Sequence, residues 1–155
     1  MNIGIHETLP GITGQVKITF QNIHTGAERV SEYHNLVVTA GKNMIASRLA
    51  GTANDCNITY VAVGTNATAP AIGDTTLGTE LARNTVTSIT ASGATVLVIG
   101  FFGAAEAIGT LTEMAWFGEA ATAAANSGTM FNHAAITEIK TASETMTIEG
   151  TITIA

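Results

Sequence analysis

The 155-residue sequence has few charged residues: they make up 12% of the chain, whereas an ordinary soluble domain carries about 25%. Its six Lys and Arg residues are scattered and its net charge is −6, so no basic patch is available to neutralise phosphate groups. We therefore expect neither a nucleic acid nor a membrane among the partners. With so little charge to hydrate its surface, we expect other subunits to cover much of it. A monomer hydrated by Thr, Ser and Asn side chains is the alternative.

The sequence contains one cysteine, Cys56, which excludes an internal disulfide and a disulfide-stabilised secreted scaffold. We expect this residue to be a small buried or half-buried side chain. The N-terminus has no positive region followed by an apolar run, and the longest apolar stretch, 96–105, is too short to cross a bilayer as a helix. These absences predict a protein that is made in the cytosol and stays soluble or assembles there.

Sequence signatures of catalysis and metal binding are also lacking. There is no nucleophile elbow, P-loop or dinucleotide fingerprint. The aspartates Asp55 and Asp74 lack the clustered carboxylates of a calcium loop. The histidines have neither zinc-ligand spacing nor a cysteine pair beside them, and we expect them in turns or at the surface; they are His6, His24, His34 and His133. The sequence predicts no catalytic residue, no cofactor and no metal site.

The clearest element is a β-prone run that leads into a helix within residues 34–51. Thr39 is placed to act as the N-cap of this helix, and Gly51 supplies its left-handed end. Four apolar residues have the spacing of one helical face; they are Ala40, Met44, Ile45 and Leu49. The pattern predicts one amphipathic helix at about residues 40–50. Because a helix this short is marginal alone, its apolar face must rest on a larger structure.

Most of the remaining sequence has the composition and alternation of β-strands. Strands are predicted at 16–21, 29–33, 58–64, 83–89, 94–102, 111–117, 130–136 and 144–155. The strand at 58–64 is nearly all β-prone and should lie centrally, while 65–74 and 119–128 read as loops. We expect a mainly β fold, an antiparallel β-sandwich or barrel of seven to eight strands with one α-helix.

The predicted domain organisation is one β-rich domain at residues 15–155 behind an extended N-terminal arm at residues 1–14. Pro10, Gly11 and Gly14 favour an extended arm over a regular element. Such an arm either frays or lies across a neighbouring subunit.

Some residues carry individual expectations. Glu80 and Arg83 are three positions apart and could form an ion pair that fixes the loop after the central strand. Asp74 is placed to cap a short turn that carries Leu77 and Leu81. In the strand at 111–117, Met114 and Trp116 should face one side and Ala115 and Phe117 the other. A strand core is the commoner location for the two aromatic residues, although they could also form a binding platform.

Several blocks in one order resemble a family of small structural proteins of tailed bacteriophages. The blocks are HNLVVTAGKNMIASRLAG (34–51), YVAVGTNATAPAIGDTTLGTELARNTVTS (60–88), TEMAWFG (112–118) and GTMFNHAAI (128–136), followed by a C-terminus that alternates with Thr. The likeness covers most of residues 30–155. It implies a virion component without catalytic residues, made in the host cytoplasm, with capsid-decorating and tail or fibre proteins among its relatives.

Three functions follow as hypotheses. The first is a non-enzymatic protein that packs on a phage particle as a homo-oligomer, expected to be a trimer, with a lean towards capsid decoration; its partners are other copies and major capsid or tail proteins. In this hypothesis edge strands and the N-terminal arm reach neighbouring subunits. The second is a tail, baseplate or fibre-associated component. The third is a carbohydrate-binding module whose stacking residues would be Trp116, Tyr60 and Tyr33.

Overall fold

The protein is a closed antiparallel β-barrel with one helix, in a computed structural model that describes residues 11–52 and 57–155. The elements within these ranges are β1 (Ile12–Asn22), β2 (Glu28–Val37), α1 (Thr39–Leu49), β3 (Ile58–Gly64), β4 (Glu80–Ser92), β5 (Thr95–Phe102), β6 (Gly109–Gly118), β7 (Thr129–Lys140) and β8 (Glu144–Ile154). The predicted mainly β class with a single helix is confirmed, and of the two expected architectures the chain adopts the barrel.

The strands follow one another around the barrel in the order β1-β2-β7-β6-β3-β4-β5-β8. β3 pairs with both β4 and β6, which confirms its central position. The β2–β7 ladder is short, with only Leu36 and Val37 in register with His133 and Asn132. Beyond it, side chains join the two strands, and Tyr33 Oη accepts a hydrogen bond from the Thr137 N–H at 3.3 Å. Closure gives every described strand a neighbour on each side, although β2 before Leu36 and β7 after His133 share no ladder. The expectation that edge strands reach neighbouring subunits stays a prediction, and among the described strands it concerns that seam alone.

The barrel interior is filled around Trp116, the largest fully buried side chain in the described ranges. Met114 and Trp116 belong to this interior cluster, whereas Ala115 and Phe117 belong to a second cluster on the outer face. The predicted division of this strand into two faces is therefore confirmed. Gly150 makes room for the indole ring: a Cβ there would lie 2.6 Å from Trp116 Nε1.

Helix α1 lies against β7 at one end of the barrel, with Met44 buried and Gly41 against the Phe131 carbonyl. The predicted N-cap is wrong: Val38 occupies that position, and no side chain caps the helix. Thr39 is instead the first helical residue, and its N–H donates to the carbonyl of Ile72 at 2.8 Å. Leu49 is 84% exposed, so the apolar face is shorter than its spacing predicts. Gly51 has φ +66°, as predicted for the left-handed end.

Several boundaries differ from the prediction. β1 begins at Ile12, which pairs with Ile154, so the last three residues of the predicted arm belong to the barrel. Residues 1–10 and Cys56 lie outside the described residues. β7 continues beyond residue 136 to Lys140, and its alternation turns Glu138 and Lys140 into the barrel interior, where both are buried. The Lys140 ammonium donates to the Gly103 and Ala104 carbonyls, and burial lowers its pKa. No helix in the described ranges is long and apolar enough to span a bilayer.

The packing of Trp116 against Gly150 gives a test of the barrel interior. We expect Gly150→Ala to lower the free energy of unfolding by about 1–3 kcal/mol, the usual cost of overpacking a filled core. Gly73→Ala is the matched control, because a Cβ at Gly73 meets no atom within 4 Å. Chemical denaturation of both variants measures the difference, and equal stabilities would contradict the close contact.

Candidate functional site

Two loops cover the outer face of β3, β6 and β7, and we name residues 65–79 together with residues 119–128 the outer loop layer. The first loop joins β3 to β4 and the second joins β6 to β7. Beneath them lies a small second core that consists of Val38, Ala62, Leu77, Ala115, Phe117 and Met130, with Ala121 packed against it. The barrel thus carries a second layer of chain on one side, held by two polar anchors.

Glu113 on β6 is the first anchor, and its side chain is 1% exposed. Its carboxylate accepts hydrogen bonds from the backbone N–H groups of Asn66 (3.2 Å), Gly78 (2.9 Å) and Thr79 (2.9 Å). A buried carboxylate is tolerated only where donors replace water, and here the two ends of the first loop supply them. Gly64 leaves the necessary space, because a Cβ there would overlap the Glu113 side chain.

His133 on β7 links Glu113 to the middle of the same loop. Its Nε2 lies 3.2 Å from Glu113 Oε2 and its Nδ1 lies 2.7 Å from Asp74 Oδ2. An imidazole that carries a proton on each nitrogen donates to both carboxylates. His133 is buried rather than in a turn or at the surface as predicted, because Ala115, its partner in the neighbouring strand, belongs to the second core.

Asp74 fixes a turn of the loop, although not the one that the sequence predicts. Its carboxylate accepts from the N–H of Ala71 at 2.8 Å, and its own N–H donates to the Ala71 carbonyl. Leu77 is buried without forming the predicted capped turn, and Leu81 lies in β4. Partial burial acts to raise the pKa of Asp74, but the hydrogen bond from Ala71 and the contact with His133 outweigh it, and the pKa lies below its ordinary value.

The ion pair of Glu80 and Arg83 is the second anchor, and its formation is confirmed as predicted. Arg83 Nε lies 2.6 Å from Glu80 Oε1, and both side chains are 3% exposed. The guanidinium also donates to the carbonyls of Thr122 and Ser127 and lies over the Phe117 ring, 4.6 Å from its centroid. Glu80 in turn accepts from the N–H of Asn126. The pair therefore fixes the second loop, residues 119–128, and not the loop after the central strand as predicted.

The two anchors also join the loops to each other. Asn126, in the left-handed conformation with φ +57°, accepts from the N–H of Leu77 through its side-chain oxygen at 3.1 Å. Asn is among the few residues that adopt this conformation at low cost. The outer loop layer is thus one hydrogen-bonded unit rather than two independent loops.

The contacts of Asp74, Glu113 and His133 hold the first loop against the barrel. The two nitrogens of His133 point in opposite directions, each to a different carboxylate, so the three side chains do not converge on one ion. Within residues 11–52 and 57–155, no group of His, Cys, Asp or Glu could hold a metal. Of the other predicted residues, His24 and His34 are exposed, whereas His6, Asp55 and Cys56 lie outside the described residues.

The three aromatic residues proposed for sugar stacking are not brought together. Trp116 is fully buried in the barrel. Tyr33 faces the interior, where its hydroxyl donates to Glu138 at 2.7 Å. Tyr60 is half-buried beside the second core. A stacking platform needs exposed ring faces in one plane, and these residues do not provide one.

The comparisons with known proteins return nothing. No protein-family model, curated protein or solved structure matches the chain. The geometry of the outer loop layer therefore carries the functional argument.

Sequence reasoning found the Glu80–Arg83 anchor but missed the other one. Asp74, Glu113 and His133 come from three separate segments, and nothing in their spacing indicates that they meet. One signal was available: Glu113 interrupts an otherwise apolar strand that is covered on both faces. An acidic residue in such a strand must find internal donors.

The Glu113 anchor gives a prediction for stability. Glu113→Gln removes the charge and turns one acceptor into a donor that faces backbone N–H groups. We expect a loss of about 1.5–3 kcal/mol in unfolding free energy, the range for a hydrogen bond to a charged group, and faster amide exchange at Asn66, Gly78 and Thr79. Glu149→Gln, which breaks the exposed pair with Lys17, is the control and should cost less than about 1 kcal/mol. Equal losses in both variants would contradict the anchor.

The lowered pKa of Asp74 predicts a pH dependence. A carboxyl group whose pKa is lower in the folded state adds stability that is complete above its unfolded pKa, about 3.9, and is lost as the pH falls through the folded value. The stability difference between the native chain and Asp74→Asn should therefore be largest near neutral pH and shrink under acid conditions. Urea denaturation of both proteins across this range measures it, and a constant difference would refute the assignment.

Proposed function

We propose that the protein is a non-enzymatic structural subunit of a bacteriophage particle, that it assembles as a homo-oligomer, a trimer in the first instance, and that it decorates the capsid. The observation that carries this proposal is the outer loop layer, which combines a fixed backbone with a surface that has few exposed charges. Both properties suit a surface that packs against other protein subunits.

Most of the exposed residues of the loop layer are uncharged. Residues 65–73 and 120–129 contain no charged side chain, and most of them are exposed. Of the charged residues nearby, Asp74, Glu80, Arg83 and Glu113 are engaged in the anchors, and the carboxylate of Glu119 accepts a hydrogen bond from the Thr129 hydroxyl at 2.6 Å. The centre of a protein–protein interface is depleted in charge, because each charge that loses water must find a partner. This surface can be covered without that cost.

The loop layer is also ordered before any partner arrives. Binding normally costs the entropy of fixing mobile loops and side chains at the interface. Here both loops are already tied to the barrel and to each other, and their exposed side chains are mostly Ala, Thr and Gly, which have little rotamer entropy to lose. A pre-ordered surface of this kind loses less entropy on assembly than ordinary loops do.

Two sequence features support the same proposal. The order of blocks across residues 30–155 resembles small structural proteins of tailed phages, and charged residues are scarce in the whole chain. A tail, baseplate or fibre-associated position is the alternative placement. Mass spectrometry of purified particles separates the two, since a copy number that follows the major capsid protein indicates decoration and one that follows a tail component indicates the tail.

Charge placed on the loop layer tests the proposed assembly. Ala69→Glu and Ala124→Glu put a carboxylate at exposed positions of the two loops. We expect the unaltered chain to sediment as an oligomer and each variant to dissociate at least ten-fold more readily, because an interface would bury the new charge. Analytical ultracentrifugation over a concentration series measures this shift.

Ala142→Glu is the control, because it adds the same charge at an exposed turn between β7 and β8, away from the loop layer. Its assembly should match that of the unaltered chain. A monomer at every concentration, together with absence of the protein from purified particles, would overturn the proposal. Equal effects of all three substitutions would instead mean that net charge, and not the loop layer, governs association.

A further inference from the structure

An apolar groove opens at the end of the barrel where β1 begins and β8 ends. It has a volume of about 390 Å³ and lies between α1 on one side and the β4–β5 hairpin with the end of β8 on the other. Ile45 and Leu49 line the helical side, and Ile89, Val96 and Ile154 line the opposite side. Three of these side chains are substantially exposed: Leu49, Ile89 and Ile154. So much open apolar surface is costly in water.

The described chain begins at the lip of this groove. Ile12, the first residue of β1, is the register partner of Ile154, which lines the groove. The first strand of the described chain therefore begins beside the groove, directly after residues 1–10 in the sequence. Pro10 and Gly11 stand directly before β1, and a Pro-Gly pair is a common turn sequence. A reversal there turns the preceding residues back towards the groove.

The chemistry of residues 1–9 matches that of the groove. Met1, Ile3 and Ile5 fall at alternate positions, so an extended chain turns all three to one side. Fully extended, nine residues reach about 30 Å at roughly 3.3 Å per residue, which gives ample length to lie along the groove. Arg48 also lines it and makes no ion pair with any residue that the structure describes, and Glu7 is the carboxylate that the segment can offer.

We propose that residues 1–9 fold back at Pro10–Gly11 and bind in the groove of their own chain, with Ile3 and Ile5 against Ile89 and Ile154. The tether favours the chain's own segment, because a short connection holds it at an effective concentration in the millimolar range. The apolar end of the barrel is then covered from within the subunit. This inference concerns a different surface from the outer loop layer and does not depend on the proposed function.

A spin label on the segment tests the proposal. Asn2→Cys in a Cys56→Ser background places one nitroxide next to the apolar residues without replacing them. The isoleucine δ1 methyl signals then report position, because Ile89, Ile152 and Ile154 lie at the groove, whereas Ile23 and Ile139 lie near the opposite end of the barrel. In this first sample, chains that carry both the nitroxide and the methyl label are diluted in excess unlabelled protein. We expect the nitroxide to broaden the groove signals strongly and to leave the signals of Ile23 and Ile139 unchanged.

One further sample, compared with the first, distinguishes the possible occupants. In a mixture of methyl-labelled chains without nitroxide and nitroxide chains without methyl label, we expect no broadening. Broadening of groove signals only in that mixture would assign the groove to the segment of a second copy, and absence of broadening in both samples would leave it for another partner; either result overturns the proposal. Ile3→Asn with Ile5→Asn should abolish the effect, and Ile3→Val with Ile5→Val, which keeps the apolar surface, should retain it.

Discussion

A buried carboxylate on β6 is the constraint on which the outer half of the structure depends. Glu113 lies beneath the loop layer, where water does not reach, so it requires donors from the protein itself. Three backbone N–H groups provide them, and His133 Nε2 lies 3.2 Å from the same carboxylate. Because each donor loses its partner if the loop moves away, the loop and the carboxylate stabilise one another. A loop of fifteen residues, rich in Ala and Thr, would otherwise have little reason to keep one conformation.

The burial of charged side chains also affects the composition of the molecular surface. The chain has few charges and directs several of them inwards, among them Glu80, Arg83, Glu113, Glu138 and Lys140. Its exterior is therefore even poorer in charge than the composition indicates. In most proteins a buried charge pair contributes little net stability against an apolar alternative. Here the buried charges hold the two loops of the outer layer and the backbone at Gly103 and Ala104 in place, and they are withdrawn from the surface.

Local pattern predicted most of the fold, because alternation and turn residues determine where strands begin and which face they bury. The β4–β5 hairpin and the two faces of β6 follow from residues that are neighbours in sequence. Failures occurred where a distant segment supplies the missing partner. From the sequence, Glu138 and Lys140 are expected to be exposed. In the fold, Tyr33 bonds to Glu138 and the Gly103 carbonyl accepts from Lys140, and both partners come from distant segments. Thr39 looks like a cap until Ile72 satisfies the helix end.

The closed barrel also limits how the subunit can associate. An open sheet can add strands of a neighbour through its backbone, whereas here every described strand has a neighbour on each side and only β2 before Leu36 and β7 after His133 share no ladder. At the weakest point of closure, between β2 and β7, Arg29 and Tyr33 occupy the gap and bond to the β7 backbone and to Glu138. A neighbour would have to displace a salt bridge before it could pair there. In the proposed assembly, contacts between subunits would therefore be made mainly by side chains and ordered loops, and the loop layer offers a surface with few exposed charges for them.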